Sequence, residues 1–517
     1  MKLVLAFLAV LAASASASDS HCCNALSAAG LGERLIAPSS SETYEAHLGK
    51  YFSTAAQLLP HCFFKPRSTE EVSKAITALV AANKTQPCQF AVRSGGHMHF
   101  KGASGIADGV TIDLADINQV VYRAEDETVA VGPGAVWGDV YSYLDKIGKM
   151  VVGGRSYSVG VGGLVLGGGN SYHAARRGLV CDNVAAFEVV LGDGSVVTAT
   201  REENSDLFQA LKGGSTNFGI VTRVDLEAFE GGNIFGGLIL RTAGTAEEHF
   251  QALVNFGDKI HEDPYGSAIV IDVYIASMHL HVFMNAFDYT APVKRPAVFR
   301  EFFEIESPPI SDTTGIRNMT DLAKELEMPK THRVQFSTLT FKNDIRVLRK
   351  AHALFKQVIA KLEEEASGDW RAMALYQPIP TLFAEHSKGR GGNLLGLERF
   401  DENLIMYEPY MMWKGAEQDE LFESQAAWLR AEVSKYAESI GADNEFLYLN
   451  YADIAQKPLE SYGAENVAKI RKVAAKYDPE EVFQRMMPGG FKISKVDPEF
   501  GKLLDDTKAQ SREHSEL

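Results

Sequence analysis

The sequence predicts an α+β protein of more than one domain, and three observations carry that expectation. A strand–helix–strand pattern opens the folded region. Glycine clusters interleaved with β-branched residues fill 91–222. Near residue 230 the clusters thin out, and strand-like segments begin to alternate with longer helical ones. The first pattern starts at "HCFFKP" (61–66), a strand. Ser68-Thr69-Glu70-Glu71 then makes a capping-box pattern, and Val72, Ile76, Leu79 and Val80 follow at helical spacing. "QFAVR" (89–93) is the next strand, and a βαβ crossover makes the two strands parallel.

The glycine-rich half contains "RSGGH", "VGPGAVWG", "VGGRSYSVGVGGLVLGGG", "LGDG" and "KGGSTNFG". Apolar residues between the glycines argue against a flexible linker and for strands joined by tight turns where backbone approaches a ligand. "VTIDL" and "TVAVGPG" read as strands, "VWGDVYSYLDKI" as a helix, and 183–200 as a hairpin turning at Gly192-Asp193-Gly194. Beyond 230, "NIFGGLILRT", "SAIVIDVY", "MHLHVFMNAF", "VQFSTLTF" and "LIMYEPYMMW" read as strands of a largely antiparallel sheet, with helices over 344–364 and 416–438. "EFLYLNYAD" (445–453) reads as a further strand, followed by a helix over 463–479 and a polar tail over 501–517.

The bulk numbers exclude several classes. Of 517 residues, 67 are acidic and 51 basic, for a net charge of −16. That balance, with no strongly basic run, argues against nucleic acid as a partner. Lys2, the apolar run 3–13 and an A-x-A site ending at Ala17 read as a signal peptide over 1–17, too short to span a membrane. The expected protein is secreted, with no membrane partner, and a monomer is favoured. Five cysteines (Cys22, Cys23, Cys62, Cys88, Cys181) are compatible with disulfides in that compartment, and the odd count leaves at least one outside an internal pair. A bridge from Cys22 or Cys23 to Cys62 would tie down the new N-terminus. Sequons begin at Asn83 and Asn318.

Several catalytic signatures are absent: a P-loop, a G-x-S-x-G elbow, H-E-x-x-H, C-x-x-C and a complete G-x-G-x-x-G. His279 and His281 would share a strand face, but no third metal ligand is apparent, so no metal site is expected. What the residues offer is a set of glycine turns able to present backbone N–H groups to a pyrophosphate, one of which carries His97. On residue chemistry alone this reads as a phosphate-bearing redox cofactor site, and a histidine after a Gly-Gly turn reads as structural.

"FAVRSGGHMHFKGAS", "VAVGPGAVWGDVY", "VVGGRSYSVGVGGLVLGGGNSY", "GLVCDNVAAFEVVLGDGSVVTA" and "DLFQALKGGSTNFGIVTRV" occur in that order. Together they resemble the FAD-binding domain of the vanillyl-alcohol-oxidase/PCMH superfamily, in the fungal FAD-linked form of the berberine-bridge-enzyme-like branch. "EFLYLNYAD" and "KYDPEEVFQRMMPGGFKI" resemble that branch's C-terminal segment. The resemblance implies a PCMH-type FAD-binding domain of two α/β subdomains, formed by 18–228 and completed by 431–500. A substrate domain with a mainly antiparallel sheet flanked by helices would occupy 229–430.

The same resemblance implies roles. His97 would be bonded to the flavin 8α-methyl. Arg93, Ser94, Gly95, Gly96, Met98, Gly154, Ser158, Val159, Gly162, Gly163, Gly168, Gly169, Asn217, Gly219, Ile220, Val221 and Asn450 would contact FAD. Many relatives add a cysteine tether; the matching position here is Ser156, which implies a single covalent link, with Cys181 left as a small apolar residue. Leu164 stands where plant members often carry His, and Val159 where a small residue leaves oxygen a path to the flavin. Asn450 and Tyr451 would line the flavin, with Tyr451 as base or substrate anchor; by residue pattern alone, Tyr448 and Tyr451 are strand aromatics on alternating faces. Because a phenol ionises near ~10, a basic Tyr451 needs a neighbouring cation. Tyr407, Tyr410, His279 and His281 are possible lining residues.

The implied activity is a secreted oxidase. It would pass hydride from a small organic substrate, a secondary-metabolite alcohol or an amine, to FAD and then to O2, yielding H2O2. A carbohydrate oxidase is the alternative, and a flavin-loaded binding protein without turnover a second.

Overall fold

The computed structural model describes residues 21–500. The leader expected at 1–17 and the tail expected at 501–517 lie outside the described residues. Three sheets form the chain. The first comprises β1 (Leu35–Ile36), β2 (Cys62–Phe64), β3 (Phe90–Arg93) and β4 (Val110–Asp113), in the order β1-β2-β4-β3. The helix between β2 and β3 runs Thr69–Asn83; the Ser68 side chain caps it by accepting from the Glu71 amide. Its buried face is Val72, Ala75, Ile76 and Leu79, the spacing of one helical stripe. β2 and β3 are parallel as expected, but they are not neighbours. The fully buried β4 lies between them and pairs with both.

The short helix His21–Leu26 is stapled to this sheet by Cys22–Cys88 and Cys23–Cys62. The expected link to Cys62 is therefore made by Cys23, while Cys22 reaches Cys88 at the foot of β3. Replacing Cys23 and Cys62 together by Ser should lower stability by about 2–4 kcal/mol, the usual range for a native bridge, read as a fall in the thermal midpoint.

The second sheet holds β5 (Val120–Arg123), β6 (Thr128–Val131), β7 (Lys149–Val151), β8 (Val184–Val190), β9 (Val196–Ala199) and β10 (Ile220–Glu230). It is antiparallel, with β10 at its centre between β6 and β8. β8 and β9 form the expected hairpin, and Gly194 takes the left-handed φ of +85° that its turn requires.

The third sheet has ten strands: β11 (Ile234–Thr242), β12 (Gly266–Ile275), β13 (Leu280–Tyr289), β14 (Ser311–Asp312), β15 (Gly315–Arg317), β16 (Arg333–Phe336), β17 (Leu339–Lys342), β18 (Arg371–Ile379), β19 (Leu404–Trp413) and β20 (Asp443–Asn444). Every pairing in it is antiparallel. The expected strand 334–341 is split at Ser337-Thr338 into β16 and β17, both paired with β19. β18 was not expected from the sequence. The helices Ala246–Lys259, Ile345–Glu365 and Asp419–Ser439 cover one face.

Strand alternation decides which residues reach the other face. Ile269, Ile271 and Val273 of β12 point one way, into a cluster with Met373 and Tyr410. Val270 and Tyr274 point the other way, towards the helices and Phe250. The inner face of this sheet is one wall of the site. The boundary expected at 430 falls inside the helix Asp419–Ser439, and β20, beyond it, still belongs to the third sheet.

Residues 445–453 are not a strand. Leu449–Tyr451 form a 3-10 turn. In such a turn residues three apart eclipse, so Tyr448 and Tyr451 meet edge to face, their ring centroids 4.9 Å apart, instead of alternating.

Candidate active site

A cavity of about 490 Å³ opens between the glycine-rich loops and the inner face of the third sheet. It is within the usual size of a small-molecule site. The loop leaving β3 forms one wall with Ser94, Gly95, Gly96, His97 and Met98. Gly96 has φ +62°, a conformation a side chain would strain. At Gly95 a Cβ would lie 2.5 Å from the backbone nitrogen of Gly160. The two glycine loops therefore meet backbone to backbone, and neither position tolerates a side chain.

His97 is held by Phe52, whose ring stacks on it at 3.9 Å. Its Nδ1 is buried with no hydrogen-bond partner. Burial lowers the imidazole to about 4, with the Glu327 carboxylate pulling the other way, so the ring is neutral. Glu327 accepts from the Ser156 hydroxyl (2.6 Å) and the Ser158 amide (2.7 Å). Burial raises this carboxyl, but those hydrogen bonds outweigh it and hold it below its ordinary value.

Val159, Gly162, Gly163, Gly219, Ile220, Val221, Asn450 and Tyr451, the positions expected at the flavin, also line the cavity, and so does Leu164. Six expected contacts stand behind the wall instead. Arg93 is buried, donating to Asp113 (2.7 Å) and to the His47 carbonyl (2.7 Å), so it anchors the loop. Gly154 lies against Trp137, and Ser158 serves Glu327 through its amide. Gly168 and Gly169, both left-handed, accept from Cys181 and Val180 and shape the turn. Asn217 donates to the Gly214 and Phe491 carbonyls and fastens the C-terminal segment. These are glycine-motif residues whose backbones build the site without lining it.

FAD fits this wall. Closely apposed glycine backbones run along it, an added Cβ at Gly163 would meet nothing within 4 Å, and the orphaned nitrogen of His97 stands beside them. Backbone of this kind admits a pyrophosphate.

The opposite wall carries the titratable groups. Arg155 donates to the Tyr451 hydroxyl (2.7 Å) and to Gln377 Oε1 (2.7 Å). The cation sought for Tyr451 is thus present. Burial nevertheless wins, raising the phenol above its ordinary value despite the offset from Arg155. Tyr451 is therefore held as a neutral hydroxyl. Asn450 donates to the Leu164 carbonyl (3.0 Å) and to the Tyr448 hydroxyl (3.1 Å), pinning this turn to the glycine helix Val161–Leu166.

Sequence reasoning missed Glu408. It sits on β19, lines the cavity, and is 4% exposed. Burial pushes its carboxyl up to about 8, with Arg155 drawing it down. A signal existed: one acid inside "LIMYEPYMMW", a strand otherwise apolar or aromatic and buried throughout.

Among the possible lining residues, Tyr410 faces the cavity and Tyr407 packs on the far side against Tyr376 (5.3 Å). His279 and His281 do not share a strand face. His279 sits in a left-handed turn before β13, facing Glu363 at 3.2 Å. His281 points to the helix-covered side. Cys181, the one cysteine outside a disulfide among the described residues, is buried, and burial drives its thiol up.

Residues 60–200 match the FAD binding domain family, and 447–486 match the berberine and berberine-like family. A FAD-dependent monooxygenase of Aspergillus calidoustus is 41% identical over 479 residues, covering 92% of this chain and 91% of the relative. This chain belongs to the berberine-bridge-enzyme-like FAD-linked oxidoreductases. The berberine bridge enzyme of Eschscholzia californica shares the fold, with a TM-score of 0.69 at 16% identity over 89% of this chain and 97% of that one. The glucooligosaccharide oxidase of Acremonium strictum, described as carrying a 6-S-cysteinyl, 8α-N1-histidyl FAD, has a TM-score of 0.71 at 19% identity over 92% and 99%. As a berberine-bridge-like oxidoreductase, the chain uses FAD and acts on a small molecule. No helix among its described residues is long and apolar enough to cross a membrane.

Proposed function

We propose that this enzyme is a secreted oxidase of an apolar alcohol or amine. The observation that carries the reading is the hydrogen-bonded group Glu408–Gln377–Arg155–Tyr451 on the cavity wall. A carboxyl near 8 is matched to taking a proton at neutral pH. Glu408 removes the proton from the substrate O–H or N–H. Tyr451, oriented by Arg155, donates its hydroxyl to the substrate heteroatom and keeps it aimed at Glu408. FAD, which the glycine loops and His97 would hold, would supply the acceptor for the hydride from the adjacent carbon and the route of the electron pair to O2. Residues 18–228 and the segment after β20 form the FAD-binding part, and His97 makes the single covalent bond to the cofactor. Its neutral ring and unpartnered Nδ1 support that assignment, and Ser156, engaged with Glu327, offers no second thiol. Val159 lines the path for oxygen.

The third sheet favours an apolar substrate over an oligosaccharide. Ile269, Ile271, Val273, Met284, Met373 and Leu375 make most of its cavity face apolar, with Arg371, Gln377, Glu408 and Tyr410 as its polar groups. The leader and the two disulfides support secretion.

The name of the Aspergillus relative favours a second reading, insertion of one oxygen atom. Turnover of a panel of aromatic and aliphatic alcohols, amines and oligosaccharides under ¹⁸O₂ separates the two. We expect one H2O2 per product, no label in the product and no oligosaccharide turnover. Labelled product would establish the monooxygenase, and preferred oxidation of sugars would overturn the substrate class.

A further inference from the structure

The helix-covered face of the third sheet holds a second cluster. Asp272 of β12 is fully buried. One of its carboxylate oxygens lies 2.6 Å from Nε2 of His281 on β13, and the other 2.6 Å from Nδ1 of His352 on the helix Ile345–Glu365. The register explains the meeting. Asp272 pairs with Phe283 and Tyr274 with His281, so Asp272 and His281 are diagonal neighbours on one sheet face. The helix then lowers His352 onto them. None of the three lines the flavin cavity, which lies on the other side of β12.

We propose that Asp272, His281 and His352 form a binding site for one divalent transition-metal ion of the zinc type. Two imidazole nitrogens and one carboxylate are the donor set such ions prefer, and calcium or magnesium would ask for more oxygens. The three donor atoms lie within 4.8 Å of one another. With Zn–N and Zn–O bonds of about 2.0–2.2 Å, tetrahedral ligand atoms stand about 3.3–3.5 Å apart. The ion therefore enters by opening two short contacts by roughly 1 Å each. The ring protons now shared with Asp272 move to the opposite nitrogens, leaving lone pairs for the ion. The side chain of His281 is 21% exposed, which supplies an entry path for the ion, and water would complete its coordination. The ion would join β12, β13 and the covering helix behind the cavity wall that Ile271 and Val273 form.

The test uses the full secreted chain loaded with FAD. It is stripped with EDTA, titrated with zinc, freed of unbound ion by gel filtration, and assayed for metal by mass spectrometry. Wild type should retain one zinc per chain, and cobalt in its place should give the visible absorption of a tetrahedral site. His281→Gln and His352→Gln should bind at least about tenfold more weakly, since even indirect partners of a ligand are worth that much. An unchanged flavin spectrum reports that each variant is folded. A wild type that retains no stoichiometric ion would overturn the proposal and leave a hydrogen-bonded triad. So would variants that retain zinc as tightly as wild type.

Discussion

His97→Ala will release its entire flavin on acid denaturation, whereas wild type will carry FAD as a covalent mass adduct. The expectation follows from the loop that delivers the ring. Gly95 and Gly160 touch backbone to backbone, Arg93 locks the strand end through Asp113, and Phe52 fixes the imidazole plane. Burial keeps the ring neutral and leaves Nδ1 unpartnered, the state a nitrogen needs to form a bond. Among the described residues no cysteine lines the cavity as a second tether: the matching Ser156 is hydrogen-bonded to Glu327, and Cys181 is buried and held as a thiol. Intact mass of wild type and variant reads the result directly. An adduct that persists in His97→Ala would place the link elsewhere; free release from wild type would mean no link.

Glu408→Gln should slow substrate-driven flavin reduction by about 10²–10⁴-fold, the range expected for loss of a general base. Flavin content should be unchanged, because Glu408 belongs to the substrate wall. The variant should also be more stable at high pH. In the folded chain Glu408 ionises at about 8, above its ordinary value of 4.5, so ionisation opposes the fold as pH climbs through that interval. Gln removes that penalty, and the thermal midpoint of the variant should exceed that of wild type most clearly above pH 8. Tyr451 makes the contrast. Its hydroxyl is a donor held by Arg155, so its loss weakens orientation and leaves the base in place.

Much of the fold was legible because the sequence states it locally. The capping box at Ser68, the hairpin turn at Gly192–Gly194 and the strand-forming run of β12 each depend on neighbours in the chain. The order of β2, β4 and β3 was not legible, because it is a choice of tertiary pairing. The turn at 449–451 reads as strand in the sequence for a related reason: tyrosines suit both, and the hydrogen bonds of Tyr448 and Asn450 to the glycine segment decide it. At the site, the glycine loops and His97 stood out by motif. Glu408 and Arg155 did not, since their environment comes from segments more than 200 residues apart that meet only in the folded chain. The cluster around His281 also forms only on folding, because Asp272 and His352 come from another strand and a helix.

The proposed reaction depends on a buried carboxyl that accepts the substrate proton. Anaerobic rapid mixing of wild type with a reactive substrate, from pH 5 to 10, measures it most directly. The rate of flavin reduction should rise with pH and level off above about 8 as Glu408 ionises, and that rise should vanish in Glu408→Gln. A pH profile that is the same in wild type and in the glutamine variant would contradict it.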